Sequence, residues 1–246
     1  MTLAIQLKDV SKAYRIVRQQ PFLAKELFRR LMRRTNPAEQ HWALRDISFD
    51  VGQGEAVGVI GANGSGKSTL LALIAKTSYP TMGEVVVNGR IGPLLELGAG
   101  FAPELTGLEN IYLNASLLGL QRDEVDAKLE SIIEYTEIGQ FVYSPLSTYS
   151  TGMGARLGFA VIAHIDPDIL LIDEALAVGD RDFQGKCMDT MEGFKQRGKT
   201  MFLVSHDMGA VARICERAIW IDKGRIAASG DTEEVIARYS ESSPSS

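Results

Sequence analysis

Cysteine is nearly absent from this 246-residue chain: only Cys187 and Cys215 occur, in no metal-like spacing, so a disulfide scaffold is excluded and a reducing compartment is implied. No apolar run approaches the ~20 residues needed to cross a bilayer; the longest, such as Leu70–Ala75, fall far short. No secretory leader is read at the N-terminus, because MTLAIQLKDVSKAY alternates like a strand. There is no excess of positive charge either. The net charge is −5, which gives no support for binding nucleic acid over the whole surface. Internal repeats are missing. What remains is ordinary globular material: 45% apolar residues, at a length that suits one folded unit with sub-domains and a substantial core.

The charge is unevenly spread. Pro21–Arg34 holds Lys25, Arg29, Arg30, Arg33 and Arg34 against a single Glu26, a local charge of +4. On a helical wheel Leu23, Ala24, Leu27, Phe28, Leu31 and Met32 fill one half and the basic residues most of the other, which predicts a basic amphipathic helix. Elsewhere, strand-like alternation dominates Leu3–Val10 and Ile47–Val51. The short apolar run Glu55–Ile60 leads into a glycine loop, and Ser68–Lys76 reads as the helix after it. A strand pair is expected around Gly83–Arg90 with Asn88-Gly89 as its turn. Glu104–Gln140 reads mainly helical, with Leu108–Asn110 opening one helix and Asp123–Tyr135 strongly periodic. Ile169–Ile172, Met201–Val204 and Ala218–Ile221 then read as buried strands separated by helical segments. That alternation predicts a largely parallel α/β sheet covered on both faces.

The glycine loop carries chemistry. GANGSGKST, Gly61–Thr69, fits G-x-x-x-x-G-K-[ST], with Gly61, Gly66, Lys67 and Ser68 in the required slots between a strand and a helix. Across Ala62, Asn63, Gly64 and Ser65 the backbone N–H groups are placed to wrap phosphates, with the helix N-terminus adding positive potential. Lys67 is expected on the β/γ-phosphates, Ser68 on Mg²⁺, and Thr69 next to it. ILLIDEA, Ile169–Ala175, buries a strand whose C-terminal end delivers Asp173 where ligands of α/β sheets bind. Asp173 is a candidate Mg²⁺ ligand through water, and Glu174 a candidate for polarising the attacking water. His206, in FLVSHD, follows another apolar strand and is placed to reach the γ-phosphate; His41 and His164 read as structural. No N-K-x-D motif is present to read a guanine base.

The phosphate loop, YSTGM, LLIDE and VSHD, in this order and spacing, resemble the ATP-binding cassette ATPases over nearly the whole chain. That resemblance implies an α/β fold: an ABC-type P-loop NTPase core, RecA-like with a mostly parallel sheet, plus an antiparallel β subdomain and a helical subdomain near residues 97–160. It also implies ATP and Mg²⁺ as cofactors and a homodimer with two composite sites. In such a dimer Tyr149, Ser150, Thr151, Gly152 and Met153 of one subunit meet the ATP of the other. Tyr14 matches the family's adenine-stacking aromatic, with a core strand tyrosine as the alternative. Asp180 falls at the end of the family's subunit-crossing loop.

Two departures narrow the resemblance. YSTGM replaces the usual LSGGQ, and Glu96, within GPLLELGAGFAPELTGLEN, stands where a glutamine normally contacts Mg²⁺. With DEALAVGDRDFQGKC, CERAIWIDKGRI and the insert ending HWALRDISFDV, these are similar to the ATPase subunits of polysaccharide exporters (Wzt-type). The resemblance implies a peripheral protein on the cytoplasmic face of a bacterial inner membrane. It would serve a multi-spanning (Wzm-type) permease that exports a lipid-linked polysaccharide, and no nucleic acid is expected as a partner. O-antigen is the first choice of cargo; teichoic acid or capsule is the alternative. A small-solute ABC ATPase would predict LSGGQ and a glutamine at position 96, while a soluble ABC protein acting on ribosomes or DNA would predict a second cassette or a long coiled coil.

The domain layout expected is a nucleotide-binding domain over 1–240, a basic insert at about 15–41 and a disordered tail at 241–246, with no C-terminal carbohydrate-binding domain. For the insert, packing on the domain, contact with anionic lipid and contact with substrate phosphates through Arg29, Arg30, Arg33 and Arg34 stay open.

Overall fold

The computed structural model describes residues 2–15, 40–94, 98, 100–173 and 180–242. Glu96, Glu174, the basic residues Arg29, Arg30, Arg33 and Arg34, and the last residues of the tail lie outside the described residues.

Two sheets organise the chain. The smaller is antiparallel, in the order β2-β1-β4, from β1 (Leu3–Arg15), β2 (Gln40–Gly52) and β4 (Met82–Val87). The larger contains β3 (Ala56–Ile60), β5 (Ile91–Leu94), β6 (Ile169–Ile172), β7 (Thr200–Val204), β8 (Arg217–Asp222) and β9 (Arg225–Asp231). Its order is β5-β6-β7-β3-β8-β9, parallel except for β9, which runs antiparallel to β8. β3, β6 and β7 are buried at every residue, as parallel strands covered on both faces must be. Their sequences, AVGVI, ILLI and, after Thr200, MFLV, are continuous apolar runs for that reason.

The helices are α1 (Lys67–Ile74), α2 (Gly107–Leu117), α3 (Arg122–Asp126), α4 (Leu129–Thr136), α5 (Thr151–His164), α6 (Arg181–Gln196), α7 (Met208–Ile214) and α8 (Thr232–Ser242). α1 lies in the core between the sheets, where the stacked rings of Phe49 and Phe202, 5.9 Å apart, tie β2 to β7. A second core joins the other face of the large sheet to α2 through α7. α2 starts with a capping box: Glu109 N–H donates to Thr106 Oγ1 at 3.2 Å, and Thr106 N–H returns a bond to Glu109 Oε2 at 2.8 Å. Among the described residues no helix is long and apolar enough to cross a membrane.

Two expectations change, and one strand is not foreseen. Asn88-Gly89 does not close a hairpin, because β4 pairs with β1 while β5 pairs in parallel with β6 in the other sheet. The segment crosses between sheets and is pinned by Asp168, whose Oδ2 accepts from Arg90 N–H at 2.7 Å. The periodic stretch Asp123–Tyr135 is two helices, with Lys128 at the break donating to the His164 carbonyl at 2.9 Å. β9, with the polar sequence RIAASGD, is an edge strand whose pairing with β8 its own pattern does not announce.

Candidate functional site

β3 delivers the glycine loop at the C-terminal edge of the large sheet, where α/β folds bind ligands. The loop closes on itself through Ser65 N–H to the Ala62 carbonyl at 3.1 Å, and Gly66 begins α1 with its carbonyl accepting from Leu70 N–H at 2.9 Å. Gly66 sits at φ 114° and ψ 1°, and a Cβ there would lie 2.6 Å from the Ala43 carbonyl oxygen and 2.7 Å from Leu44 Cδ2. Glycine is therefore demanded by both conformation and space. From the other side, Gly224 N–H donates to the Ser65 carbonyl at 2.9 Å. Lys67 is only 6% exposed, and its Nζ donates to the carbonyls of Gly61 at 2.8 Å and Ala62 at 3.1 Å. Two neutral carbonyls leave one of the three ammonium donors, and the whole positive charge, available to an anion.

Beside this loop opens a cleft of about 500 Å³, within the range of small-molecule sites. One side is the loop itself and the first turn of α1: Asn63, Gly64, Gly66, Lys67, Ser68 and Thr69. The rest of the lining is Tyr14 from β1, His41 and Ala43 from β2, and Asp173 from the end of β6. Tyr14 is 44% exposed, with the Lys12 ammonium 5.2 Å from its ring centre. Gly64 has nothing within 4 Å of where a Cβ would stand, so the loop keeps open space there. Ser65 Oγ is buried in the loop without a hydrogen-bond partner among the described residues. A helix N-terminus and Lys67 offer positive potential to phosphates; Ser68 and Asp173 offer a hydroxyl and a carboxylate, a set that suits Mg²⁺ shared with phosphate oxygens.

Of the residues singled out in the sequence, Tyr14, Asn63, Gly64, Gly66, Lys67, Ser68, Thr69 and Asp173 thus share one cleft, with Gly61, Ala62 and Ser65 completing the loop that borders it. His206 is exposed just beyond β7 and does not line the cleft; its neighbour Asp207 caps α7, accepting from Gly209 N–H at 2.9 Å. His164 stays in the packing, edge-on to Tyr135 at 5.5 Å. The structural reading of His41 is corrected. It lines the cleft because the antiparallel register sets it opposite Tyr14.

The stretch Tyr149–Met153 lies away from this cleft, at the start of α5. Ser150 is the N-cap, accepting from Met153 N–H at 3.2 Å. Tyr149 turns inward, its hydroxyl donating to the Phe141 carbonyl at 2.7 Å, and Met153 packs against the core. Ser150 and Thr151 remain exposed, and a Cβ added at Gly152 would meet nothing beyond the helix's own backbone closer than Ser150 Oγ at 3.9 Å, among the described residues. One turn on, Arg156 bridges Glu137 at 2.8 Å and Asp180 at 2.7 Å and lies 4.7 Å over the Phe183 ring. Hydrogen bonds from Lys186 and Arg156 hold the Glu137 carboxyl below its ordinary range. The backbone N–H of Phe183, aided by Arg156, does the same for Asp180, the N-cap of α6. This network fastens the helix behind Ser150 to Asp180.

Comparison with known proteins fits this geometry. Residues 44–177 match the model of the ABC transporter family. The chain is 54% identical over 200 residues, 81% of each protein, to the O-antigen export system ATP-binding protein RfbB of Klebsiella pneumoniae. It is 43% identical to the teichoic acids export ATP-binding protein TagH of Listeria monocytogenes over 97% of this chain and 70% of that one. Among solved structures, the dimeric post-hydrolysis state of the ATP-binding cassette MJ0796 bound to ADP and Pi superposes with a TM-score of 0.74, covering 93% of this chain and 98% of that one at 23% identity. The phosphate loop, the cleft it borders and these matches together lead to one conclusion: the chain belongs to the ABC transporter family and binds ATP.

Proposed function

We propose that this chain is the ATP-hydrolysing subunit of an exporter that moves a lipid-linked polysaccharide, O-antigen foremost, across the cytoplasmic membrane. The observation that carries the reading is the 54% identity to an O-antigen export ATPase. The likeness to TagH supports teichoic acid as the second cargo. In this reading the subunit works as a homodimer on the cytoplasmic face of a bacterial membrane, against a multi-spanning permease. Support for the dimer comes from the exposed Ser150 and Thr151 and the open space at Gly152. Among the described residues nothing outside the helix's own backbone requires a glycine at that position, and the phosphates of a second copy's nucleotide would use the room.

Within the cleft, Lys67 and the loop N–H groups hold the phosphates, Tyr14 supports the base, and Ser68 with Asp173 holds Mg²⁺. Mg²⁺, when bound, neutralises charge that develops on the phosphate oxygens. Glu174 polarises the attacking water, and His206, which does not line the cleft, reaches the γ-phosphate from beyond the end of β7. Glu96 and the loop around it relay nucleotide state to the permease, and the basic insert faces anionic lipid or substrate phosphates. ATP draws the two subunits together, and hydrolysis with product release lets them part, so nucleotide energy becomes movement of the partner.

The test is genetic and chemical. In cells whose own copy is deleted, the wild-type chain restores surface polysaccharide and Lys67→Ala does not, and a multi-spanning membrane protein co-purifies with the wild type. Lipopolysaccharide and teichoic acid extracts tell the two cargoes apart. A deletion strain with every surface polysaccharide intact refutes the export reading.

A further inference from the structure

We propose that His41 is a nucleoside-contacting residue: with Tyr14 it forms a two-ring wall that takes the base end of the nucleotide. The proposal rests on the cleft being the ATP site and adds a residue that the phosphate-loop pattern does not contain.

Three observations carry it. First, Tyr14 and His41 are direct partners in the antiparallel ladder of β1 and β2. Residues directly opposite project from the same face of a sheet with Cβ atoms roughly 4.5–5.5 Å apart, so the two side chains leave the sheet next to each other. Second, both line the same cleft, and His41 is exposed to it rather than buried in the sheet. The groups suited to phosphate, Asn63, Gly64, Gly66, Lys67, Ser68 and Thr69, all belong to the loop and the first turn of α1, so the two rings are the part of the lining left for the uncharged part of the ligand.

Third, β2 is anchored close to His41. The Ala43 carbonyl abuts Gly66 and Gly224, each of which would bring a Cβ within 2.6 Å of it, and Arg45 N–H donates to the Gly224 carbonyl at 2.7 Å. His41 is thus held two residues from the point where β2 touches the phosphate loop. Tyr14 is steadied by Lys12, whose Nζ also donates to the Tyr79 carbonyl at 2.7 Å. A wall built this way needs little reordering to receive a flat base, and base–ring stacking tolerates a histidine as well as a tyrosine.

The experiment uses the full chain and two probes, ATP and inorganic tripolyphosphate, each titrated calorimetrically in the presence of Mg²⁺. His41→Ala weakens ATP about five- to tenfold, the lower end of what loss of one stacking ring costs, and leaves tripolyphosphate within twofold of wild type. His41→Phe, which keeps a ring, returns ATP binding to within threefold. Unchanged ATP affinity in His41→Ala, or an equal loss for both probes, overturns the proposal; the second result would mean that the substitution loosens β2 against the phosphate loop. Failure of His41→Phe to recover ATP binding overturns it too. A wild-type chain that binds neither probe refutes the nucleotide reading of the cleft instead.

Discussion

Replacing Gly66 by alanine separates what the phosphate loop owes to the fold from what it owes to its ligand. The new methyl group would stand 2.6 Å from the Ala43 carbonyl and 2.7 Å from Leu44 Cδ2, inside normal contact, at φ 114°. Forcing an L-residue into a left-handed backbone costs about 1–2 kcal/mol, and overpacking a filled site costs about 1–3 kcal/mol more. Gly66→Ala should therefore destabilise the chain by about 2–5 kcal/mol. At roughly 2–4 °C per kcal/mol for a protein of this size, that lowers Tm by about 4–20 °C. Gly64→Ala is the matched control. Gly64 also has a positive φ, 77°, but nothing lies within 4 Å of its would-be Cβ, so only the backbone cost of about 1–2 kcal/mol applies. Its methyl group instead occupies the open space of the loop, so ATP binding falls while Tm drops by only about 2–8 °C, less than in Gly66→Ala. Thermal unfolding without nucleotide, paired with ATP titration of both variants, reads the crossed pattern. Equal Tm losses for the two variants would refute the claim that β2 is what presses on Gly66.

Two further outcomes follow from the charges and thiols. Arg156→Ala removes the bridge to Glu137 and Asp180 and the contact with Phe183, the latter alone costing about 1 kcal/mol. Both carboxylates are held below their ordinary values of 4.5 and 3.8, so their contribution is present above those values and lost as pH falls through the lowered ones. The stability gap between wild type and variant, measured by urea unfolding, should narrow below about pH 4; a gap that widens on acidification would contradict the network. Burial pushes the thiols of Cys187 and Cys215 up to about 12, so neither should react with iodoacetamide at pH 8 until the chain unfolds. Rapid labelling of the folded chain would show that these side chains are not where the core places them.

The central strands of the large sheet are legible because full burial on two faces leaves almost only apolar residues: AVGVI, ILLI and MFLV each announce themselves. The phosphate loop is legible because its glycines, lysine and serine sit at consecutive positions with local purposes. Where a reading depends on partners distant in sequence, it fails or stays mute. Asn88-Gly89 looks like a turn on local grounds, yet Asp168 pins the segment as a crossing between sheets. Asp123–Tyr135 keeps one helical period across a break that only Lys128 and its bond to the His164 carbonyl explain. β9 exists because β8 offers it an edge; its own residues alternate too weakly to say so.

The same distinction accounts for the part of the cleft that was missed. Ala43 enters through its backbone carbonyl, a group every residue carries, so no side chain marks it. His41 enters through register, and register between β1 and β2 is set across the 24 residues that separate Arg15 from Gln40, which no periodicity spans. β2 therefore touches the loop at Gly66, meets the β8–β9 turn at Gly224 and presents His41 beside Tyr14, although nothing in QHWALRDISFDVG reads as a binding motif. A phosphate loop recognised from sequence gives the end of the site that holds charge. The end proposed for the base is built by strand pairing, so it has to be looked for on the strand beside the loop.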